Sequence, residues 1–182
     1  MVSRFEGRQR AQTALARHLL QTGLGGTSLR QLAAAAKVSD RMLLYYFSDK
    51  ADALGAALAQ VTVGLTERLD IALPTGAGWR PRELVAAAVQ ITNSAEVRPY
   101  MRLWIEVVAA AARGEAPFPQ LASQIADGFI GFVEARIDDA ALPDPRATAT
   151  AIVALIDGLA VIAVCADDDL VARTAAQLGA LL

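Results

Sequence analysis

Residues 27 to 54 read TSLRQLAAAAKVSDRMLLYYFSDKADAL, and three residues of types that favour helix starts, Thr27, Ser39 and Asp49, stand close together within this stretch. A side-chain oxygen placed before a helix accepts a free N–H of the first turn, so each of the three predicts a new helix. The first two helices then have room for only two or three turns, too few to be stable unless packed on neighbours. Leu29, Leu32 and Ala33 supply the inward face of one, and Leu43 and Phe47 that of the next. Asp52, three positions after Asp49, is placed as a capping-box acid at the head of a longer helix through ADALGAALAQVTVGLTERLD. Upstream, RQRAQTALARHLLQTGLGG carries Ala11, Ala14, Leu15, Leu19 and Leu20 at helical spacing and stops at Gly23.

Two short capped helices joined by a turn of three or four residues have helix-turn-helix geometry, in which the second helix enters the major groove of DNA. At the helical rotation per residue, Arg41, Met42, Tyr45 and Tyr46 lie opposite Leu43 and Phe47 on that second helix. Large aromatics facing outward beside an arginine point to a partner. Charge agrees: residues 1–55 hold eight Lys and Arg against four Asp and Glu, while the remainder holds nine against fifteen. The overall net charge of −2 therefore conceals a basic head and an acidic body.

The head resembles the DNA-binding module of the TetR family of transcriptional regulators. Leu32-Ala33 stands where the family has an Ile-Ala pair, Val38-Ser39 ends the turn, and Leu43, Tyr46, Phe47, Lys50 and Leu54 keep the family spacing. It departs where Lys37 replaces a turn glycine and where Met42 and Leu44 replace a threonine and a tyrosine. Lys37 predicts either a turn that avoids positive φ or a strained residue costing about 1 kcal/mol. The resemblance implies double-stranded operator DNA as partner, with Thr27, Tyr46 and Lys50 on phosphates and Ser39 fixing the recognition helix. Lys50 also stands at a helix start, where free N–H groups and the positive helix end favour an anion. Arg41 is the candidate base reader, because its fork matches O6 and N7 of guanine. Asp40, Met42 and Tyr45 come second, Met42 toward a thymine methyl.

From residue 56 onward, breaks at 74–83, 113–119 and 138–146 separate long helical stretches. The chain is thus predicted to be all-α, with an N-terminal three-helix helix-turn-helix DNA-binding domain at 1–55 and a C-terminal helical ligand-binding and dimerisation domain at 56–182. ATAIVALIDGLAVIAVCA is apolar nearly all round, more than one protomer can cover, and the closing stretch adds Leu170, Val171, Ala175, Leu178 and Leu181. With the family resemblance, this predicts a homodimer through the last two helices, Gly158 permitting close approach of another backbone. Asp157 in the apolar stretch requires a partner or solvent. The resemblance further implies a small-molecule effector within the body. RPYMRLWIEVV, with Tyr100, Met101, Trp104 and Glu106, is the candidate lining for a largely apolar molecule.

Other classes find little support. One histidine, His18, one cysteine, Cys165, and carboxylates without a Glu-x-x-His pairing offer no nucleophile, acid–base pair or ligand cluster, so neither an enzyme nor a bound metal or cofactor is expected. Cys165, in AVIAVCA, is expected as a small buried thiol. No uninterrupted apolar run reaches the ~18 residues of a membrane span, and MVSRFEGRQR lacks a secretory apolar stretch, so a cytoplasmic protein without membrane contact is expected. The sequence reads as a ligand-responsive DNA-binding transcriptional regulator, a repressor released from its operator by a small molecule. The alternative is a helical dimer that binds ligand or protein without specific DNA.

Overall fold

The computed structural model of the chain describes residues 3–138 and 142–181. Side chains at 168, 175, 176 and 178–181 fall outside that description, and with them Ala175, Leu178 and Leu181 of the expected closing face, as do residues 139–141 of the expected loop at 138–146. The chain forms two compact units, Met1–Leu65 with Arg102–Ala122, and Thr66–Met101 with Ser123–Leu182. Residue 55 lies inside a continuous helix, Lys50–Ala72.

In the first unit, α1 (Arg4–Thr22), α2 (Leu29–Ala35) and α3 (Asp40–Tyr46) pack on one another, and α4 (Lys50–Ala72) follows. Ala11, Leu15, Leu19, Leu32, Ala33, Leu43 and Phe47 are all at most 2% exposed, as their spacing predicts. Burying a side chain such as Leu43 or Phe47 stabilises by about 1.5–3 kcal/mol, which is what holds so short a helix in place. α1 begins earlier than the sequence reading placed it. Ser3 Oγ accepts the Glu6 N–H at 3.2 Å while Glu6 returns a carboxylate oxygen to the Ser3 N–H at 2.9 Å, a reciprocal cap.

Two local expectations are resolved at α2. Its N-cap is Ser28, not Thr27: Ser28 has extended backbone (φ −64°, ψ 152°), and its Oγ accepts the Gln31 N–H while the Gln31 side chain accepts the Ser28 N–H. Thr27 instead closes the short 3-10 turn Gly23–Gly26, with its own hydroxyl given to the Leu24 carbonyl at 2.8 Å. At the other end, Lys37 does take positive φ, 55°. The Val38 N–H reaches the Ala33 carbonyl and the Lys37 N–H the Ala34 carbonyl, both at 3.0 Å, so Lys37 is the left-handed residue of a Schellman closure, where glycine is favoured.

The second unit draws on α5 (Pro81–Thr92), α8 (Pro145–Cys165) and α9 (Asp168–Leu181), with α6 (Arg98–Ala112) and α7 (Phe118–Glu134), like α4, divided between the units. α5 lies against α8 and α9, with Leu84, Val85, Val89, Ile152 and Leu159 buried. Arg136 is buried just beyond α7. Its Nε donates to the Leu73 carbonyl at 2.7 Å, its Nη1 to the Phe132 carbonyl at 2.8 Å, and it pairs with Asp70. A cation there satisfies carbonyls left over at the ends of α4 and α7 and suits their negative helix ends. The Trp79 backbone joins Arg136 and Asp138 in a single bridge, and no strand occurs among the described residues.

α8 corrects one expectation and qualifies another. By length and composition it could cross a membrane, alone among the helices of the described residues, although Asp157 interrupts its apolar course and no uninterrupted run reaches that length. Such a helix is also what a soluble core or an intersubunit bundle uses, so length alone decides nothing. Its Val161, Ile162 and Val164 are exposed, as is Leu170 on α9, and a Cβ on Gly158 would meet nothing within 4 Å. Cys165, expected to be buried, is exposed at the end of α8, while Asp157 is half-buried.

Lys37→Gly relieves the left-handed strain at the end of α2 and is expected to stabilise the chain by about 1 kcal/mol, raising the midpoint of thermal or urea unfolding. An unchanged or lowered midpoint contradicts the strain.

Candidate nucleic-acid interface

The second helix of the helix-turn-helix, α3, is held from one side only. Ser39 Oγ accepts the Met42 N–H at 3.2 Å and starts it, and Leu43 and Phe47 anchor it to the core. Asp40, Arg41, Met42, Leu44 and Tyr45 are exposed on the remaining surface. Tyr45 is 53% exposed, and the Arg4 guanidinium lies 4.9 Å from its ring centroid, bringing to this face a cation that the sequence reading did not foresee. Tyr46 departs from the outward position expected for it. It is half-buried, with its ring so close to Gly7 of α1 that a Cβ there would collide with it. The helical rotation puts Tyr46 on the flank of α3, and Gly7 leaves the room that admits a tyrosine against α1.

Arg8 is the organising residue that periodicity could not reveal. Its Nη1 donates to the Tyr46 carbonyl at 2.6 Å, its guanidinium reaches both Asp52 oxygens (3.0 and 3.4 Å), and it lies 4.6 Å from the Phe47 ring centroid. One side chain of α1 thereby fixes the last turn of α3 and the first turn of α4. Asp49 starts α4 as expected, accepting the Asp52 N–H at 2.8 Å, but Asp52 reaches past the cap to accept the Ser48 N–H at 2.9 Å. Burial raises the Asp52 pKa, yet the Arg8 hydrogen bond, the Ser48 N–H and the Arg8 charge outweigh it and hold the carboxyl below its ordinary value.

Thr27 and Lys50 line one half-open cavity of about 450 Å³ in the first unit, together with Leu24, Gly25, Leu54, Glu106 and Phe118. Lys50 is exposed at the first position of α4, and no side-chain or backbone partner engages it among the described residues. The Thr27 hydroxyl proton rests on the Leu24 carbonyl, and rotation about Cβ–Oγ would turn it toward an anion. Of the residues expected around an effector, Glu106 reaches this cavity, its carboxylate accepting the Leu24 N–H at 2.7 Å. Tyr100 and Met101 are buried in the second unit, with Arg68 5.3 Å from the Tyr100 ring centroid, and Trp104 is half-buried. His18 serves the fold, its Nε2 lying 2.9 Å from the Gly26 carbonyl oxygen. No three His, Cys, Asp or Glu side chains gather as metal ligands among the described residues.

Comparison with known proteins agrees with this geometry. Residues 81–181 match the family model described as BetI-type transcriptional repressor, C-terminal, and residues 13–57 the model described as bacterial regulatory proteins, tetR family. Among solved structures, the chain is similar to a transcriptional regulator from Rhodococcus sp. Rha1, with 21% identity and a TM-score of 0.74 over 96% of this chain and 94% of that one. It is also similar to the multidrug binding protein EbrR complexed with proflavin, with 26% identity and a TM-score of 0.65 over 95% and 99%. A third similar structure is the reduced form of E. coli NemR, with 19% identity and a TM-score of 0.73 over 95% of each chain. No curated protein matches the chain.

Arg8→Ala is expected to destabilise the chain by about 1–2 kcal/mol, mostly through the lost hydrogen bond to the Tyr46 carbonyl, since solvent screens the partly exposed ion pair. Because the folded pKa of Asp52 lies below its unfolded value, its share of stability is present above about pH 4 and is lost as pH falls through the folded value. Unfolding midpoints measured from pH 6 downward should therefore fall less in Asp52→Asn than in the parent chain. Parallel curves contradict the assignment.

Proposed function

Because the chain belongs to the TetR family of bacterial transcriptional regulators, we propose that it works as a homodimeric repressor whose two copies of α3 occupy successive major grooves of a near-palindromic operator. The observation that carries this reading is the division of α3: Leu43 and Phe47 buried, Asp40, Arg41, Met42 and Tyr45 exposed and available to base edges. Arg41 reads a base, Thr27, Tyr46 and Lys50 hold phosphates, and Ser39 fixes the helix start. Tyr46 is half-buried with its hydroxyl end beside Gly7, so its phosphate contact would be made where α3 meets α1. This activity belongs to the cytoplasm, where the operator is.

The dimer forms through α8 and α9. Val161, Ile162, Val164 and Leu170 are exposed in the single chain, a large apolar face that a second copy of the same helices would bury. A small, largely apolar effector lowers operator affinity to the extent that it binds the released conformation better. A coupling of 1–3 kcal/mol changes affinity by about 5- to 150-fold. Tyr100 and Met101 are the candidates for its lining, and the similarity to a protein solved with proflavin supports a small-molecule effector.

Selection from a random duplex library at one fixed salt concentration, with Arg41→Ala in parallel, tests the reading. The parent chain is expected to enrich a palindromic site, and the variant to lose preference at one symmetric pair of positions by about 1–3 kcal/mol. Enrichment of no site by either protein would leave a helical ligand- or protein-binding dimer as the function. Val164→Arg places a charge on the open face of α8 and should shift the protein to monomer in sedimentation, with operator binding lost in step. A variant that stays dimeric removes α8 from the interface.

A further inference from the structure

The turn between α1 and α2 is held by a residue far away in sequence. Glu106 lies on α6, and its carboxylate accepts the Leu24 N–H at 2.7 Å within the first unit. Gly23, beside it, has φ 66° and ψ −158°, and a Cβ there would collide with both carboxylate oxygens. The backbone conformation disfavours a side chain at this position, and one placed there would push the Glu106 carboxylate off the Leu24 N–H. The next carbonyl, that of Leu24, accepts the Thr27 hydroxyl at 2.8 Å, and the Gly26 carbonyl lies 2.9 Å from His18 Nε2. The four-residue turn Gly23–Gly26 is therefore tied to α6 by Glu106, to α1 by His18 and to the start of α2 by Thr27.

The surroundings of Glu106 partly favour and partly oppose its charge. Lys50 and Arg113 line the same cavity and favour a carboxylate, whereas the carbonyls at the C-terminal end of α1 disfavour one, and a carboxylate near Thr27 repels phosphate. Accepting the Leu24 N–H adds a charge-assisted hydrogen bond, about twice as strong as a neutral one. An effector-lining role also fits poorly with a carboxylate already engaged by the head.

We propose that Glu106 is a positioning residue for operator binding: by holding the Leu24 N–H it fixes the Gly23–Gly26 turn, and so sets where Thr27 meets a DNA phosphate. The inference rests on the reading of Thr27 as a phosphate contact. The turn determines the place of the Thr27 Cα and Cβ. The hydroxyl itself rotates from the Leu24 carbonyl to the stronger, charged acceptor when DNA arrives.

The test uses the full chain and the duplex enriched in the selection described above, beside an unrelated duplex of the same length. Thr27→Ala should weaken both complexes by roughly 10-fold, because a phosphate contact carries no sequence information. Glu106→Ala should weaken both by a similar factor, and the double variant by no more than the stronger single one. Glu106→Gln keeps an acceptor for the Leu24 N–H while removing the charge, so it should bind DNA at least as well as the parent. Losses that multiply in the double variant, or a Gln variant as weak as the Ala one, overturn the positioning role. If Thr27→Ala weakens binding and Glu106→Ala does not, Glu106 alone is misassigned; if Thr27→Ala binds like the parent, the phosphate reading of Thr27 fails instead. A general loss of structure is separated by thermal unfolding, since a merely structural role for Glu106 lowers the midpoint and leaves the two substitutions additive in DNA binding.

Discussion

Seven residues of α3 cannot hold a helical shape or an orientation alone, and Arg8 supplies what they lack. The guanidinium gathers the carbonyl of Tyr46, the carboxylate of Asp52 and the ring of Phe47, which belong to the end of α3 and the beginning of α4. Leu43 and Phe47 press α3 onto the core without fixing its rotation, because apolar burial is not directional. The directional bonds of Arg8 add that restraint. Everything exposed on α3 inherits its aim from this contact: Arg41 and Met42 directly, Tyr45 with the further help of Arg4.

Much of the head was legible in the sequence because its constraints are local. Ser39 and Asp49 start helices through bonds to residues three positions on, and Leu32, Leu43 and Phe47 repeat at the spacing of one helix face. The failures have physical causes. Thr27 and Ser28 are both good caps, and the choice fell to Ser28 because Gln31, not residue 30, could return the bond. Rotation alone predicts Tyr46 outward, but Gly7 opens a seat for its ring, a cue that lies on another helix. Arg8 and Glu106 act across 38 and 82 residues of sequence, and no periodicity encodes a bond of that kind. Lys37 was the intermediate case: the sequence marked the strained position, and backbone geometry decided between strain and avoidance.

The second unit was legible in outline and not in detail. Helix lengths and breaks follow from proline, glycine and apolar runs, while nothing in the sequence marks Arg136 as buried, since arginine ordinarily belongs to the surface. There it meets two carbonyls and Asp70, so its charge is compensated at every donor direction that the helix ends provide. The exposed thiol of Cys165 has the same origin as the exposed valines of α8. Composition predicted burial from the apolar run itself, and a run that is apolar all round does not mark which side of the helix its neighbours leave open.

A dimeric regulator of this kind must place α3 in DNA twice, once from each copy. A hydroxyl-radical-generating chelate attached to a single cysteine at Met42, in a Cys165→Ser background, would map that directly by cleavage of the selected duplex. Two clusters of cuts, symmetric about the dyad and about 10 base pairs apart, are the predicted result. Cuts scattered along the duplex, or one cluster without its symmetric mate, would contradict the central claim.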